Sequence, residues 1–441
     1  MFGIREEDFE NSINYALLRK DIGNIRQGGK IKIVDEMLTR EESLREKERA
    51  IRATLNSSDG NTAEIHDQFY RDHKLLLVLF RMLAVMPILR SSPGRITFKW
   101  SSWATIYAIF FYVLATFLVL VVGYERVKIL HTTRVFDEYI YAIIFVLFLV
   151  PHFWIPFAGW GIAGEVAVYK TMWGAFQVRF YRVTGTSLQF PKLKVLIVII
   201  SIGCLLCAVF FLLTLCFLLE GFPLWHTSAY YHIITMINMN CALWYINSRA
   251  IRDASRGLSR NFYRDVKIEC TATLISSYRF LWLNLSELLQ ALGSAYARTY
   301  SSYCLFIFMN ITIAIYGAIS EIVDHPLDVN FKEIGLIVDF LYCCGLLLIF
   351  CDCSHNATLE VAKGIQETLL TIDTSKVDEL TQKEVDLFIQ AILMNPAIVS
   401  LKGYANVNRE LLTSSITTIT IYLIVLLQFK FSLTHISAKK N

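Results

Sequence analysis

The sequence predicts an all-α membrane protein with seven transmembrane helices, a cytoplasmic amino terminus and an extracellular carboxyl terminus. Three observations lead there. Of 441 residues, 55% are apolar and only 18% charged, with a mean hydropathy of +0.46, so much of the chain has no polar face to give to water. Seven stretches are long and nearly free of charge, as a hydrocarbon core about 30 Å thick demands of about 20 residues. Lys and Arg gather in alternate connections between those stretches. The same composition excludes other classes. Eight Pro and 21 Gly without periodicity exclude a collagen-like chain, and abundant aromatics with little charge exclude global disorder. A net charge of +4 without a basic stripe gives no reason to expect nucleic acid as a partner.

Residues 1–74 read as a cytoplasmic amino-terminal arm with a helical stretch. Residues 40–52, REESLREKERAIR, carry dense mixed charge, and no long apolar run occurs in the first 72 residues. The acidic terminus lacks the apolar core of a signal peptide. Residues 75–99 read as an interfacial or bundle-packed helix. Its run from Leu75 to Leu89 is interrupted by Arg81 and, at about 1.5 Å per residue, is too short to cross a bilayer.

Between flanking charges the seven spans are Trp100 to Tyr124, Tyr139 to Gly164, Val195 to Leu219, Gly221 to Ser248, Thr299 to Ser320, Ile334 to Cys351 and Leu411 to Phe429. Residues 100–351 thus hold spans one to six with cytoplasmic helical extensions. Residues 352–410 form a cytoplasmic anchor segment, 411–431 the last span, and 432–441 an extracellular tail. Orientation follows from the basic residues. Arg81, Arg90, Arg95 and Lys99 precede the first span, and Lys170, Arg179, Arg182, Lys192 and Lys194 follow the second. The connection after the fourth span is rich in Arg as well, whereas the alternate connections are poor in both residues. Leu274, Tyr278, Leu281, Leu285, Leu288, Leu289 and Leu292 recur at helical spacing after the fourth span. They read either as an extension of the fifth span or as a subunit-assembly surface.

Polar groups inside a span are costly and face protein or water. The fourth span is the outlier, with Tyr230, Tyr231, His232, Thr235 and Asn238 in one half. Two readings stay open: interhelical hydrogen bonding, or a ligand pocket open to the outside. His152, between Pro151 and Pro156, reads as a packing histidine at a kink. Asp339 needs a partner, water or a proton. Cys204, Cys207, Cys351 and Cys353 form pairs without a second pair at zinc spacing, so neither metal nor cofactor is expected and the ten cysteines read as small hydrophobes. No nucleophile elbow, zinc helix or phosphate-binding loop is present, so the chain does not read as an enzyme. A carrier is disfavoured by the lack of an inverted repeat.

The last span opens with Thr413, Ser414, Ser415, Thr417, Thr418 and Thr420 and ends at Gln428-Phe429. A small-polar half, an apolar half and a terminal amide suit a helix lining a pore closed by dewetting; packing through small residues is the alternative.

The run Ile421-Tyr422 through Leu427, Gln428 and Phe429 resembles the terminal signature of insect gustatory receptors, Thr-Tyr, five apolar residues and Gln-Phe, with Ile421 departing from the usual Thr. Gly403, Arg409, Leu411 and Leu412 also fall where that family places such residues. Within it, 69–88 (FYRDHKLLLVLFRMLAVMPI), 149–161 (LVPHFWIPFAGWG), 181–201, 220–247 and 351–364 (CDCSHNATLEVAKG) resemble the carbon dioxide branch; sugar receptors are the nearest alternative. The resemblance implies an insect chemoreceptor channel fold: a ligand-gated, non-selective cation channel of four subunits in the plasma membrane of sensory neurons, partnered by related gustatory receptor chains. It places Tyr422, Leu427, Gln428 and Phe429 at the pore and implies carbon dioxide as the small-molecule ligand. It also implies a ligand pocket in the outer half of the first six spans, around Tyr230, Tyr231, His232, Thr235 and Asn238 with Tyr141 and Tyr316 as walls. A G-protein-coupled receptor would have the opposite orientation.

Overall fold

The computed structural model describes residues 64–92, 94–132, 136–218, 223–324 and 331–438, and their side chains except at 136–141, 218, 323–324, 331–332, 374 and 433–438. Most of the expected arm, and the side chains of most of the expected tail, lie outside the described residues.

Helix α1, Gln68–Met82, starts at Asp67, whose carboxylate accepts the Tyr70 backbone N–H as a cap. The helix expected over 75–99 stops at Met82, which corrects that expectation. Ala84 leaves the helix at φ 61°, Pro87 has no donor to continue it, and Gly94 at φ 70° reverses the chain. A two-stranded antiparallel hairpin follows, β1 Leu89–Ser92 against β2 Arg95–Thr97, with Leu89 opposite Thr97.

Four long helices come next: α2 Trp103–Thr132, α3 Phe136–Thr184, α4 Leu193–Leu218 and, after a short turn at Leu224–His226, α5 Thr227–Ile268. Then come α6 Ala272–Ala295, α7 Ala297–Asp324, α8 Phe331–Leu370, α9 Glu379–Met394 and α10 Arg409–Ala438. Among the described residues, six helices are long and apolar enough to cross a membrane: α2, α3, α4, α7, α8 and α10. The expected fourth span, α5, is not apolar enough. Most of its residues from Ala229 to Ser255 are buried, and it packs on α8, α4, α6 and α3. Its Tyr, His, Thr and Asn residues therefore meet protein instead of lipid, which removes the need for an apolar surface.

Helices α3, α5 and α8 have 49, 42 and 40 residues. At about 1.5 Å per residue they run about 60 to 74 Å, twice a bilayer core or more. The sixth span is not broken at Cys351, because α8 continues to Leu370 through the start of the expected anchor segment. Helix α6 supplies a further correction. Its stripe of Tyr278, Leu281, Leu285, Leu288, Leu289 and Leu292 is buried within this chain and is no open assembly surface. Helix α9 covers part of it, with Arg279 paired to Glu384 at 3.2 Å, and Trp282 Nε1 donates to the Val361 carbonyl on α8 at 3.0 Å.

Backbones meet at three glycines. A Cβ at Gly159 would lie 2.7 Å from the Val85 carbonyl oxygen, one at Gly174 would lie 2.6 Å from that of Gly94, and one at Gly293 would lie 2.4 Å from that of Ser400. The first two seat the segment between α1 and β2 along α3. The third seats a tight turn, in which Val407 N–H donates to the Val399 carbonyl, on α6.

Candidate functional site

Helix α10 is tied at both ends and bare between. Asn408 caps it by accepting the Leu411 N–H, and Arg409 donates from Nε (2.9 Å) and Nη2 to Asp352 Oδ1 on α8. Near the other end Lys430 Nζ donates to the Ser320 carbonyl (2.8 Å) and hydroxyl (2.6 Å) on α7. Along its described side chains Ile419 is buried and the rest are half-buried or exposed. The hydroxyls of Thr413, Ser415, Thr417, Thr418 and Thr420 donate to carbonyls one turn back, so each is satisfied whether water or lipid lies outside.

The four residues expected at a pore differ in placement. The Tyr422 ring stands edge-on to Phe308 at 6.3 Å, Leu427 is half-buried, and Gln428 and Phe429 are exposed. At about 100° per residue, Tyr422 and Phe429 share a face, while Gln428 points about 100° away from Phe429.

Six of the seven pocket candidates have described side chains; that of Tyr141 lies outside the described residues. Tyr230 is buried and its hydroxyl donates to the Phe145 carbonyl at 3.0 Å. His232 Nε2 donates to the Leu83 carbonyl at 3.2 Å, and its ring lies 6.2 Å from that of His152, which bonds Thr116 and stacks on Tyr112. Asn238 Oδ1 accepts from the Tyr342 hydroxyl at 2.8 Å, while its Nδ2 and the buried Thr235 hydroxyl have no hydrogen-bond partner among the described residues. Tyr231 and Tyr316 are half-buried against the core. The Asp339 carboxylate accepts from Asn310 Nδ2 at 3.3 Å and from the Cys343 thiol.

Sequence reasoning passed over two features. Arg126 and Glu125, just past the end of the first expected span, meet His226: the guanidinium donates to His226 Nδ1 at 3.0 Å, which leaves Nε2–H to donate to Glu125 at 2.9 Å. Lys170, read as one of several loop cations, is buried on α3 against Asn247 and Phe69. Single-sequence patterning carries no signal for partners this far apart in the chain.

The model of the 7tm chemosensory receptor family matches residues 73–433. The chain belongs to this family. The receptor is 43% identical to gustatory and odorant receptor 22 of Anopheles gambiae, over 87% of its own length and 83% of the relative's. It is also 43% identical to gustatory and odorant receptor 21a of Drosophila melanogaster, over 83% and 82% of the two chains. In fold it resembles the olfactory receptor OR5 of Machilis hrabei solved with eugenol, with a TM-score of 0.60, 12% identity and coverage of 81% of this chain and 97% of the other. The receptor is thus a multi-pass membrane protein of an insect chemosensory family and not an enzyme.

Proposed function

We propose that this receptor is a subunit of a ligand-gated, weakly selective cation channel that responds to carbon dioxide. It works in the plasma membrane of sensory neurons, within a tetramer shared with related gustatory receptor chains, with its amino terminus in the cytoplasm. The observation that carries the channel reading is α10: an apolar helix with a hydroxyl-rich half, pinned at both ends, with one buried side chain along its described length. Such a surface is suited to lining a water path among several copies, with Gln428 near the constriction and Tyr422, Leu427 and Phe429 around it. No acidic residue follows Glu410 in α10, which suits weak discrimination among cations. The long segments quoted above support carbon dioxide as the ligand. Tyr230, Tyr231, His232, Thr235 and Asn238, with Tyr141 and Tyr316, remain the candidate pocket for small ligands.

Co-expression with related subunits in oocytes tests this reading. Currents evoked by carbon dioxide, with permeability altered by Gln428 substitution, are the expected result. Responses to sugars and none to the gas would move the ligand assignment, and saturable flux without unitary currents would overturn the channel.

A further inference from the structure

Lys170 stands on α3 beyond the charge-free stretch that ends at Gly164, and is 4% exposed. Among the described residues its Nζ has one hydrogen-bond acceptor, Asn247 Oδ1 at 2.7 Å, and no carboxylate at ion-pair distance. The rings of Phe69 and Tyr169 lie 4.7 and 5.4 Å from it. An ammonium taken out of water without a counter-charge is costly, and burial pushes this amine down to about 7, so much of it is neutral at cellular pH.

A cavity of about 10 Å³, room for one water, is lined by Lys170, His73, Asp67, Tyr70, Leu77 and Gly94. His73 is fully buried. Its Nδ1 lies 3.0 Å from the Phe69 carbonyl, which can only accept, so Nδ1 carries the hydrogen and Nε2 is left with a lone pair and no partner among the described residues. Asp67 is engaged elsewhere, by Arg90 and by the Tyr70 and Gly94 N–H groups. A desolvated amine and an unoccupied base therefore border one small space.

We infer that Lys170 is a carbamylation site at which the receptor takes up carbon dioxide covalently, an assignment that rests on the carbon dioxide reading above. The neutral Nζ attacks the carbon of the gas. An N–C bond forms as one C–O π pair moves onto oxygen, and the proton lost from nitrogen passes to His73 Nε2. Atoms and charge balance without oxidant or reductant: an amine and an imidazole become a carbamate anion and an imidazolium. The remaining carbamate N–H keeps Asn247 Oδ1 as its acceptor. Burial, and then the charge of Lys170 when it is protonated, hold His73 well below its usual range. The neutral amine that attacks carries no such charge, and the carbamate anion that forms favours the imidazolium. Three heavy atoms added where one water fits must displace part of the cavity's lining. The junction of α1, the hairpin, α3 and α5 thereby senses a molecule too small and uncharged for strong contacts. A ligand shifts a gate only by binding the open form better, and a bond formed in packed surroundings can supply that difference.

The test uses purified full-length receptor in nanodiscs, exposed to isotopically labelled carbon dioxide, trapped with a trialkyloxonium salt and read by mass spectrometry. Label on the Lys170 peptide, rising with dissolved gas and absent in Lys170→Arg, is expected, together with loss of the gas-evoked current when Lys170→Arg is co-expressed with partner subunits. An unlabelled Lys170 in the wild-type receptor overturns the proposal, however the variant folds. If that wild-type receptor still conducts on exposure to the gas, the carbamate fails and the receptor reading stands. Label without any gas-evoked current upholds the carbamate and removes carbon dioxide as the agonist.

Discussion

Arg409, the first residue of α10, holds Asp352 of α8 through two donors on one carboxylate oxygen. The pair joins the bare helix to the long extension of α8, and Lys430 on Ser320 ties the other end to α7. Motion of α8 or α7 therefore reaches α10 through a few side chains, because between these ties little of α10 is packed.

The Arg409–Asp352 tie is solvent-accessible, with 58% and 39% of the two side chains exposed. An exposed pair contributes about 0 to 1 kcal/mol. Asp352→Asn is expected to shift the ligand dose–response midpoint by no more than about five-fold, without loss of surface expression, because RT is about 0.59 kcal/mol. Voltage clamp with surface biotinylation checks both.

Gln428 is exposed in the chain, so replacing it removes no internal packing. Gln428→Ala is expected to change unitary conductance, and Gln428→Glu to raise the permeability of calcium relative to sodium by adding a ring of charge. Reversal potentials under ionic substitution decide this. Unchanged permeation in both variants would remove Gln428 from the pore.

Gly293→Ala would place a methyl 2.4 Å from the Ser400 carbonyl oxygen, a backbone atom that cannot swing aside. The expected loss is about 1 to 3 kcal/mol, seen as a fall of several degrees in the melting temperature of detergent-solubilised receptor. Gly345→Ala is the control, since nothing lies within 4 Å of a Cβ there. It is expected to leave the melt unchanged or raise it slightly, because Ala is the better helix former.

Lys170 makes stability depend on pH. In the fold its amine releases a proton near 7, whereas the unfolded chain holds it to about 10.5. Between those values the unfolded state binds more protons, so stability rises with pH, by up to about 1.4 kcal/mol per unit for one group. Lys170→Met is expected to flatten that rise, as measured by thermal melts from pH 7 to 10.

The membrane crossings were legible because charges bracket them, and the family signature lies in a contiguous run at α10. The end of α1 was legible in principle, since Pro87 and Gly94 are breakers in plain view, but the apolar run from Leu75 to Leu89 outweighed them. Residues 221–248, which run into the first half of α5, read as a span because they form a long uncharged stretch, and their polar groups suit a helix surrounded by protein. The fate of the α6 stripe was not legible: Arg279 meets Glu384, and Trp282 meets Val361, across gaps in sequence that no local period encodes. Lys170 was hidden for the same reason, being one basic residue among several until Asn247 and Phe69 close around it.

Gly159 and Gly174 fix a gauge. They are separated by about 22 Å along α3, and the chain from Val85 to Gly94 must bridge the same interval at about 2.4 Å per residue, looser than a taut strand and longer than a helix. A homologue that gains or loses a residue inside this bridge has to redraw both docking points. Indels should therefore be scarce between positions 85 and 94 in an alignment, and common in surface connections that measure nothing.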